Sequence, residues 1–189
     1  MTGLRLAIAV VLVFAAFAAV LPAQSRAPTF VALETTMGTI KVELYADKAP
    51  VTTKNFLEYV KVGFYNGTIV HRVDSVIGMG GYTETLQTRP TRPPIKNEAK
   101  NGLKNRRGTL AMARYQDPNS ATSQFFINLQ DNAHLDYSAS EPGYAVFGKV
   151  VGGMDVVDKI AKAKTGTKNP FYNIPLETIV VKTAKIVAQ

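Results

Sequence analysis

Residues 29–45 read TFVALETTMGTIKVELY, and this stretch sets the class of fold because apolar and polar residues alternate in it twice. In the second run the apolar positions share one face of an extended chain, whereas Lys41 and Glu43 share the other. That period of two residues is typical of half-buried strands. A Met-Gly pair separates the two runs. The stretch therefore predicts a β-hairpin, from Thr29–Thr35 into Thr39–Tyr45, at the start of a mainly β domain.

The rest of the chain adds two helices and further strands. Residues 49–63 (APVTTKNFLEYVKVG) and 153–163 (GMDVVDKIAKA) place apolar residues at helical spacing. A polar stretch, residues 85–105, predicts a long surface loop. Strand patterns appear in TIVHRV (68–73), GTLAMA (108–113), SQFFINL (123–129), AVFGKVV (145–151) and ETIVVKTAKIVA (177–188). About eight strands without a βαβ rhythm predict a closed eight-stranded antiparallel β-barrel capped by two α-helices.

The first residues are typical of a targeting segment. Arg5 precedes an uninterrupted apolar run, Leu6–Leu21, and small residues follow it, which is the order found in secretory signal peptides. We therefore predict a signal peptide over residues 1–25, cleaved near 23–25, and a single domain over residues 26–189. This predicts a periplasmic protein without stable membrane insertion after cleavage. The run approaches the length of a membrane span, about 17–25 residues, so an uncleaved anchor facing the periplasm is the alternative.

Composition excludes several kinds of site. The chain has no cysteine, which rules out disulfides, thiol catalysis and cysteine-bound zinc. Its two histidines, His71 and His134, are far apart and fit no metal-ligand pattern, so no metal is expected. The net charge is +8, or +7 once Arg5 leaves with the signal peptide, and export makes nucleic acid the least expected partner for it. Without heptads or a second amphipathic surface, the chain is predicted to be a monomer.

A set of segments in a distinctive order carries the functional signal: VHRV (70–73), GTLAMAR (108–114), NSATSQFFIN (119–128), NAHLD (132–136) and GYAVFGKVVGGMDVVDKI (143–160). With them, nearly the whole mature chain resembles the cyclophilins, a class of peptidyl-prolyl cis/trans isomerases, and in particular their exported bacterial members. The resemblance implies an eight-stranded barrel with a helix closing each end. It also implies an isomerase, or rotamase, that needs no cofactor and acts on proline-containing unfolded or folding polypeptides.

The resemblance further implies roles for individual residues. Arg72 corresponds to the catalytic arginine that polarises the prolyl amide, and Gln124 to a glutamine that binds substrate and helps to hold the arginine. Phe126 and Leu135 correspond to walls of the proline pocket. His134 stands where many members have tryptophan, so only weak cyclosporin binding is expected. The other predicted substrate contacts are Ala113, Arg114, Met112, Ile77, Met79 and Tyr144.

Such a reaction asks little of the protein beyond binding. Rotation about an X–Pro bond has a barrier of about 18–20 kcal/mol because the amide nitrogen is conjugated with the carbonyl. A site lowers that barrier if it binds the twisted amide better than the planar one. A fixed guanidinium can donate a hydrogen bond to the twisted nitrogen, and an apolar pocket can hold the proline ring and exclude water.

One segment departs from the family pattern. The family has His-Arg, four residues and then Phe-Met-x-Gln-Gly-Gly, whereas here Arg72 is followed by VDSVIGM and then Gly80-Gly81, without the phenylalanine or the glutamine. The main hypothesis is an isomerase that accelerates the folding of exported proteins. The alternative is a cyclophilin-like chaperone module that binds proline-containing peptides with weak or no turnover. A structural barrel with an unrelated partner is a third reading.

Overall fold

The computed structural model describes residues 28–189, so the predicted signal peptide and its cleavage site lie outside the described residues. The opening hairpin is confirmed: β1 (Thr29–Thr35) pairs antiparallel with β2 (Gly38–Leu44) over their whole length. Within this described part, no helix combines the length and the hydropathy needed to cross a membrane.

The predicted elements are all present, and three strands are added to them. The predicted strand 68–73 is divided in two, and the strands Val76–Met79, Thr165–Lys168 and Phe171–Pro175 were not predicted. In chain order, the elements after β2 are α1 (Pro50–Lys61), β3 (Thr68–Ile69), β4 (Arg72–Val73), β5 (Val76–Met79), β6 (Thr109–Met112), β7 (Phe125–Asn128), β8 (Val146–Gly152), α2 (Met154–Ala161), β9 (Thr165–Lys168), β10 (Phe171–Pro175) and β11 (Val180–Val187).

The strands form a curled antiparallel sheet, which confirms the mainly β class but corrects the closed eight-stranded barrel. Nine strands of the described chain pair in the order β3-β11-β1-β2-β8-β6-β7-β5-β4, and β9 and β10 form a separate hairpin. The two edges, β3 and β4, are consecutive in the chain. The sheet therefore curls until one interrupted segment, residues 68–73, pairs with β11 on one side and with β5 on the other. Regular strand pairing is interrupted at residues 70 and 71, although Val70 N–H still donates to the carbonyl of Ile179 and His71 N–H to that of Gly78.

Both helices pack on the interior of this curled sheet. Phe56 of α1 lies with its ring centroid 5.1 Å from that of Phe125 and 5.3 Å from that of Phe147. In α2, Val157 and Ile160 are fully buried in the same core. Burial of these apolar faces stabilises each helix against the sheet, because short helices gain most of their stability from packing. The opposite, outer face of the sheet is left to build a site.

Candidate active site

The outer face of β5, β6 and β7 carries a second group of packed apolar residues. Successive strand residues point to opposite sides of a sheet, and Phe126 pairs with Gly78 of β5 and Ala111 of β6. These three positions face outward, whereas their neighbours face the barrel interior. We call the resulting group the outer cluster. It contains the buried Val76, Ala111, Phe126 and Val146 and the partly buried Leu103, Ala113, Leu135 and Tyr144.

The same alternation places three predicted substrate contacts elsewhere. Met79 and Met112 pair with Phe125, and Ile77 pairs with Ile127, all of them facing the interior. Ile77 and Met79 have no exposed surface and Met112 has 2%. The prediction that these three residues touch substrate is therefore corrected, because a peptide on the outer face cannot reach them. Val76, which was not singled out from the sequence, takes the outward position on β5.

Arg72 lies in the same outward row as Phe126. Arg72 pairs with Gly78, and Gly78 in turn pairs with Phe126, so a residue without a side chain separates the guanidinium from the aromatic ring. A Cβ built on Gly78 would approach Arg72 Cβ and His71 Nε2 to 3.3 Å each. That distance is tighter than most real contacts, so a side chain at position 78 would press on Arg72. Because Gly78 has no side chain, the surface between Arg72 and Phe126 stays open; we call this surface the bare strip.

Asp74 holds Arg72, and Gln124 does not. Arg72 Nε donates a hydrogen bond of 2.6 Å to Asp74 Oδ2. Among the described residues, the terminal nitrogens of Arg72 make no hydrogen bond, and 56% of the side chain is exposed. Gln124 immediately precedes β7, two residues before Phe126, and its side chain packs over Gly81, where a Cβ would lie only 2.6 Å from Gln124 Cδ. The predicted contact between Gln124 and the arginine is absent from this structure.

The remaining predicted residues surround the outer cluster. Tyr144 lies edge-on to Phe126, with ring centroids 5.7 Å apart. The guanidinium of Arg114 covers the Tyr144 ring at 4.5 Å, and its Nε donates to the carbonyl of Gly143 at 3.0 Å. Arg114 therefore supports the wall of the cluster. His134 is exposed on the short 3₁₀ turn that carries Leu135.

A buried asparagine network fixes that turn, and sequence reasoning missed it. Asn128 Nδ2 donates to Asn105 Oδ1 at 3.2 Å, and Asn132 Nδ2 donates to Asn128 Oδ1 at 2.9 Å. Asn105 Nδ2 also donates to the carbonyl of Leu135 at 3.1 Å. Asn132 reaches across to the carbonyl of Ser75, 3.1 Å away, in the shortened segment behind Arg72. One network thus holds both the wall of the cluster and the arginine's own loop.

His71 stays neutral beside the charged guanidinium of Arg72. Burial, together with the smaller effect of the neighbouring Arg72 guanidinium, lowers the pKa of His71 from 6.5 to about 4. Its Nδ1 atom is buried without a hydrogen-bond partner. The ring packs edge-on against Tyr82, with centroids 5.0 Å apart. Around neutral pH, Arg72 is therefore the cation of this pair, and His71 acts as packing.

The unpredicted β9–β10 hairpin forms a wall on the other side of Arg72. A groove of about 340 Å³ runs between β4 and the hairpin. Its lining includes Arg72, Asp74, Phe171 and Tyr172, and Tyr172 is 70% exposed. A peptide that crosses Arg72 would therefore meet the outer cluster on one side and an aromatic wall on the other.

Comparison with known proteins identifies the family. Residues 30–185 match the family model described as cyclophilin type peptidyl-prolyl cis-trans isomerase/CLD. The chain is 52% identical to peptidyl-prolyl cis-trans isomerase A of Dickeya dadantii over 161 residues, which cover 84% of this chain and 85% of the relative. It is 48% identical to peptidyl-prolyl cis-trans isomerase B of Escherichia coli, over 82% of this chain and 98% of that one.

Solved structures agree with this match. A Cryptosporidium parvum cyclophilin type peptidyl-prolyl cis-trans isomerase, crystallised in the presence of the dipeptide Ala-Pro, superposes with a TM-score of 0.71 at 26% identity. The alignment covers 85% of this chain and 99% of that one. The fold and the outward site thus define a cyclophilin-class protein. The chain belongs to the cyclophilin-type peptidyl-prolyl cis-trans isomerase family, an enzyme class, as the resemblance implied.

Proposed function

We propose that this domain catalyses cis/trans rotation of X–Pro bonds with Arg72 as the hydrogen-bond donor to the twisted amide. The observation that carries the proposal is the row Arg72–Gly78–Phe126, which puts a guanidinium and an apolar ring on the same outer face with only a glycine between them. The Nε of Arg72 is engaged by Asp74, so the terminal nitrogens remain available to a substrate.

The outer cluster is the proposed pocket for the proline ring. Phe126 forms its floor, and Leu135 and Tyr144 border it. An apolar surface removes water from the bound amide, and a hydrogen bond to the amide is worth more where water is excluded. The donor then stabilises the twisted state, in which the nitrogen lone pair is no longer conjugated and can accept a hydrogen bond. Catalysis by this route follows from preferential binding of the transition state.

The substrates we propose are proline-containing segments of unfolded or folding polypeptides. The shallow outer face and the groove beside Tyr172 suit an extended chain, since both are open to solvent along the row of Arg72. Given the apolar leader, we also propose that these substrates are exported proteins and that the domain acts in the periplasm. Mass spectrometry of the mature N-terminus tests export. An N-terminus near residue 24–26 supports it, and an intact Met1 supports the anchored alternative.

A peptide exchange experiment separates an enzyme from a binding module. The purified domain is added in substoichiometric amounts to an Ala-Pro peptide, and cis/trans exchange is measured by NMR together with peptide binding. The proposal expects exchange that is accelerated well above the uncatalysed rate, which takes tens of seconds or longer. Binding without faster exchange would favour the chaperone module, for which the altered segment 73–79 is the motivating observation. Absence of both would favour the structural reading.

A further inference from the structure

We propose that Asp74 is a positioning residue for catalysis. It holds the Arg72 guanidinium so that the terminal nitrogens face the peptide bound along the row Arg72–Gly78–Phe126. The inference rests on the proposed function. The short hydrogen bond of 2.6 Å joins Arg72 Nε to Asp74 Oδ2, so it occupies one edge of the guanidinium. A guanidinium has five N–H donors in a rigid fork. Fixing the Nε edge therefore orients the four donors of the terminal nitrogens.

Arg72 needs such a partner because little else holds it. It lies on a two-residue strand at the edge of the sheet, and its side chain is 56% exposed. Gly78, its cross-strand neighbour, has no side chain to pack against it. In the described part of the chain, Gln124 makes no hydrogen bond to it. An unrestrained arginine would lose much side-chain entropy on fixing the substrate-binding geometry, and an ion pair formed beforehand reduces that cost.

Asp74 is itself anchored, which allows it to act as a fixed point. Its Oδ1 accepts a hydrogen bond from the backbone N–H of Val76 at 3.2 Å, and this closes a tight turn. The carbonyl of the intervening Ser75 accepts hydrogen bonds from Asn132 Nδ2 and from the backbone N–H of Leu129, both at 3.1 Å. The aspartate therefore connects the arginine to the buried asparagine network. Its side chain is 25% exposed, less than half the value for its partner.

The test is the substitution Asp74→Asn. Asparagine keeps the oxygen that closes the turn at Val76, so the loop can stay folded. The NH2 group of the asparagine would then face Arg72 Nε. It is a donor, so it cannot replace the carboxylate oxygen that accepts the hydrogen bond of Arg72. We expect kcat/KM on an Ala-Pro peptide to fall roughly 3- to 5-fold, the effect expected when a half-exposed ion pair of favourable geometry is lost. The fall should be in kcat rather than KM, because the peptide surface is unchanged.

A double-mutant cycle with Arg72→Ala distinguishes positioning from a structural role. If Asp74 acts through Arg72, Asp74→Asn should leave the residual activity of Arg72→Ala unchanged. Asp158→Asn is the matched control. Asp158 lies on α2, and its Oδ1 forms an exposed ion pair of 2.7 Å with Arg107 Nη2. The substitution breaks this pair and changes the net charge equally, so it should leave kcat/KM at the wild-type value.

The outcomes separate this inference from the proposed function. If wild type is active and Arg72→Ala is impaired but Asp74→Asn matches wild type, the positioning role is wrong and the proposed function stands. A faster Asp74→Asn enzyme would also overturn the role, since Asp74 would then restrain the arginine away from substrate. An equal loss from Asp74→Asn in both backgrounds would assign Asp74 to loop structure alone. An inactive wild type would instead reject the proposed function.

Discussion

Lowering the pH from 7 to 4 should destabilise the domain through His71, because an imidazole that is neutral and buried in the fold becomes protonated on unfolding. The ring packs between Tyr82 and the bare strip at Gly78, and its Nδ1 has no partner. Burial and the adjacent Arg72 lower its pKa from 6.5 to about 4. At pH values between these two pKa values, His71 is protonated in the unfolded chain but not in the folded chain. Stability is therefore lost as the pH falls through this window.

The pKa difference sets the size of the effect. A displacement from 6.5 to about 4 corresponds to about 3 kcal/mol at most, fully expressed only below the lower value. For a domain of this size, each kcal/mol shifts Tm by about 2–4 °C, so the contribution of His71 amounts to a fall in Tm of about 6–12 °C. Carboxylates also titrate in this range, so the wild-type curve alone does not isolate the histidine.

Urea unfolding of wild type and His71→Phe at several pH values isolates the contribution of His71 to the pH dependence of stability. Phenylalanine keeps the ring packing against Tyr82 but cannot be protonated. The difference in free energy of unfolding between the two proteins should therefore change by about 3 kcal/mol from pH 7 to pH 4, in favour of the variant at low pH. His134→Gln, at the exposed second histidine, is the matched control and should run parallel to wild type. A constant difference between wild type and His71→Phe would refute the reasoning.

Two further substitutions test the support of the site. Asn132→Ala removes two hydrogen bonds to buried acceptors and should lower the free energy of unfolding by about 2–3 kcal/mol in urea titrations; a loss below about 0.5 kcal/mol would show that water replaces the amide. Gly78→Ala places a Cβ 3.3 Å from Arg72 Cβ and should reduce kcat/KM several-fold at a cost in stability of about 1 kcal/mol. Gly152→Ala, whose new Cβ meets its nearest neighbour at an ordinary 3.4 Å, should change neither kcat/KM nor stability. Equal activities of Gly78→Ala and Gly152→Ala would contradict the role given to the bare strip.

The elements that sequence predicted correctly are those with a local signal. The β1–β2 hairpin alternates apolar and polar residues along its own length, and both helices repeat their apolar residues at helical spacing. The β9–β10 hairpin has no such signal, because it lies outside the main sheet and most of its residues are at least partly exposed. β5 was missed since a four-residue strand containing Gly78 is defined by its pairing with β7, about fifty residues later. The curl of the sheet also depends on such distant pairing, as between β3 and β11.

The site follows the same division. Arg72, Gln124, Phe126 and Leu135 stand within recognisable motifs, and the structure places Arg72, Gln124 and Phe126 on the same outer face. Which residues of β5 share that face depends on register, and a one-residue change in register exchanges the two faces; hence the error over the residues at 77 and 79. Asp74 and the buried asparagines gave no signal, because such residues are typical of exposed turns, and only tertiary structure shows what they hold.

The central claim is that the Arg72 guanidinium catalyses the rotation. It is tested most directly by kcat/KM of wild type and Arg72→Ala on one Ala-Pro peptide, with peptide binding measured in parallel. Removal of a charged hydrogen-bond donor used in the transition state should reduce kcat/KM at least about 100-fold, while the outer cluster still binds peptide. Arg106→Ala, at an exposed arginine for which the structure shows no side-chain hydrogen bond or ion pair among the described residues, is the control and should match wild type. An Arg72→Ala protein that isomerises the peptide as fast as wild type would contradict the account.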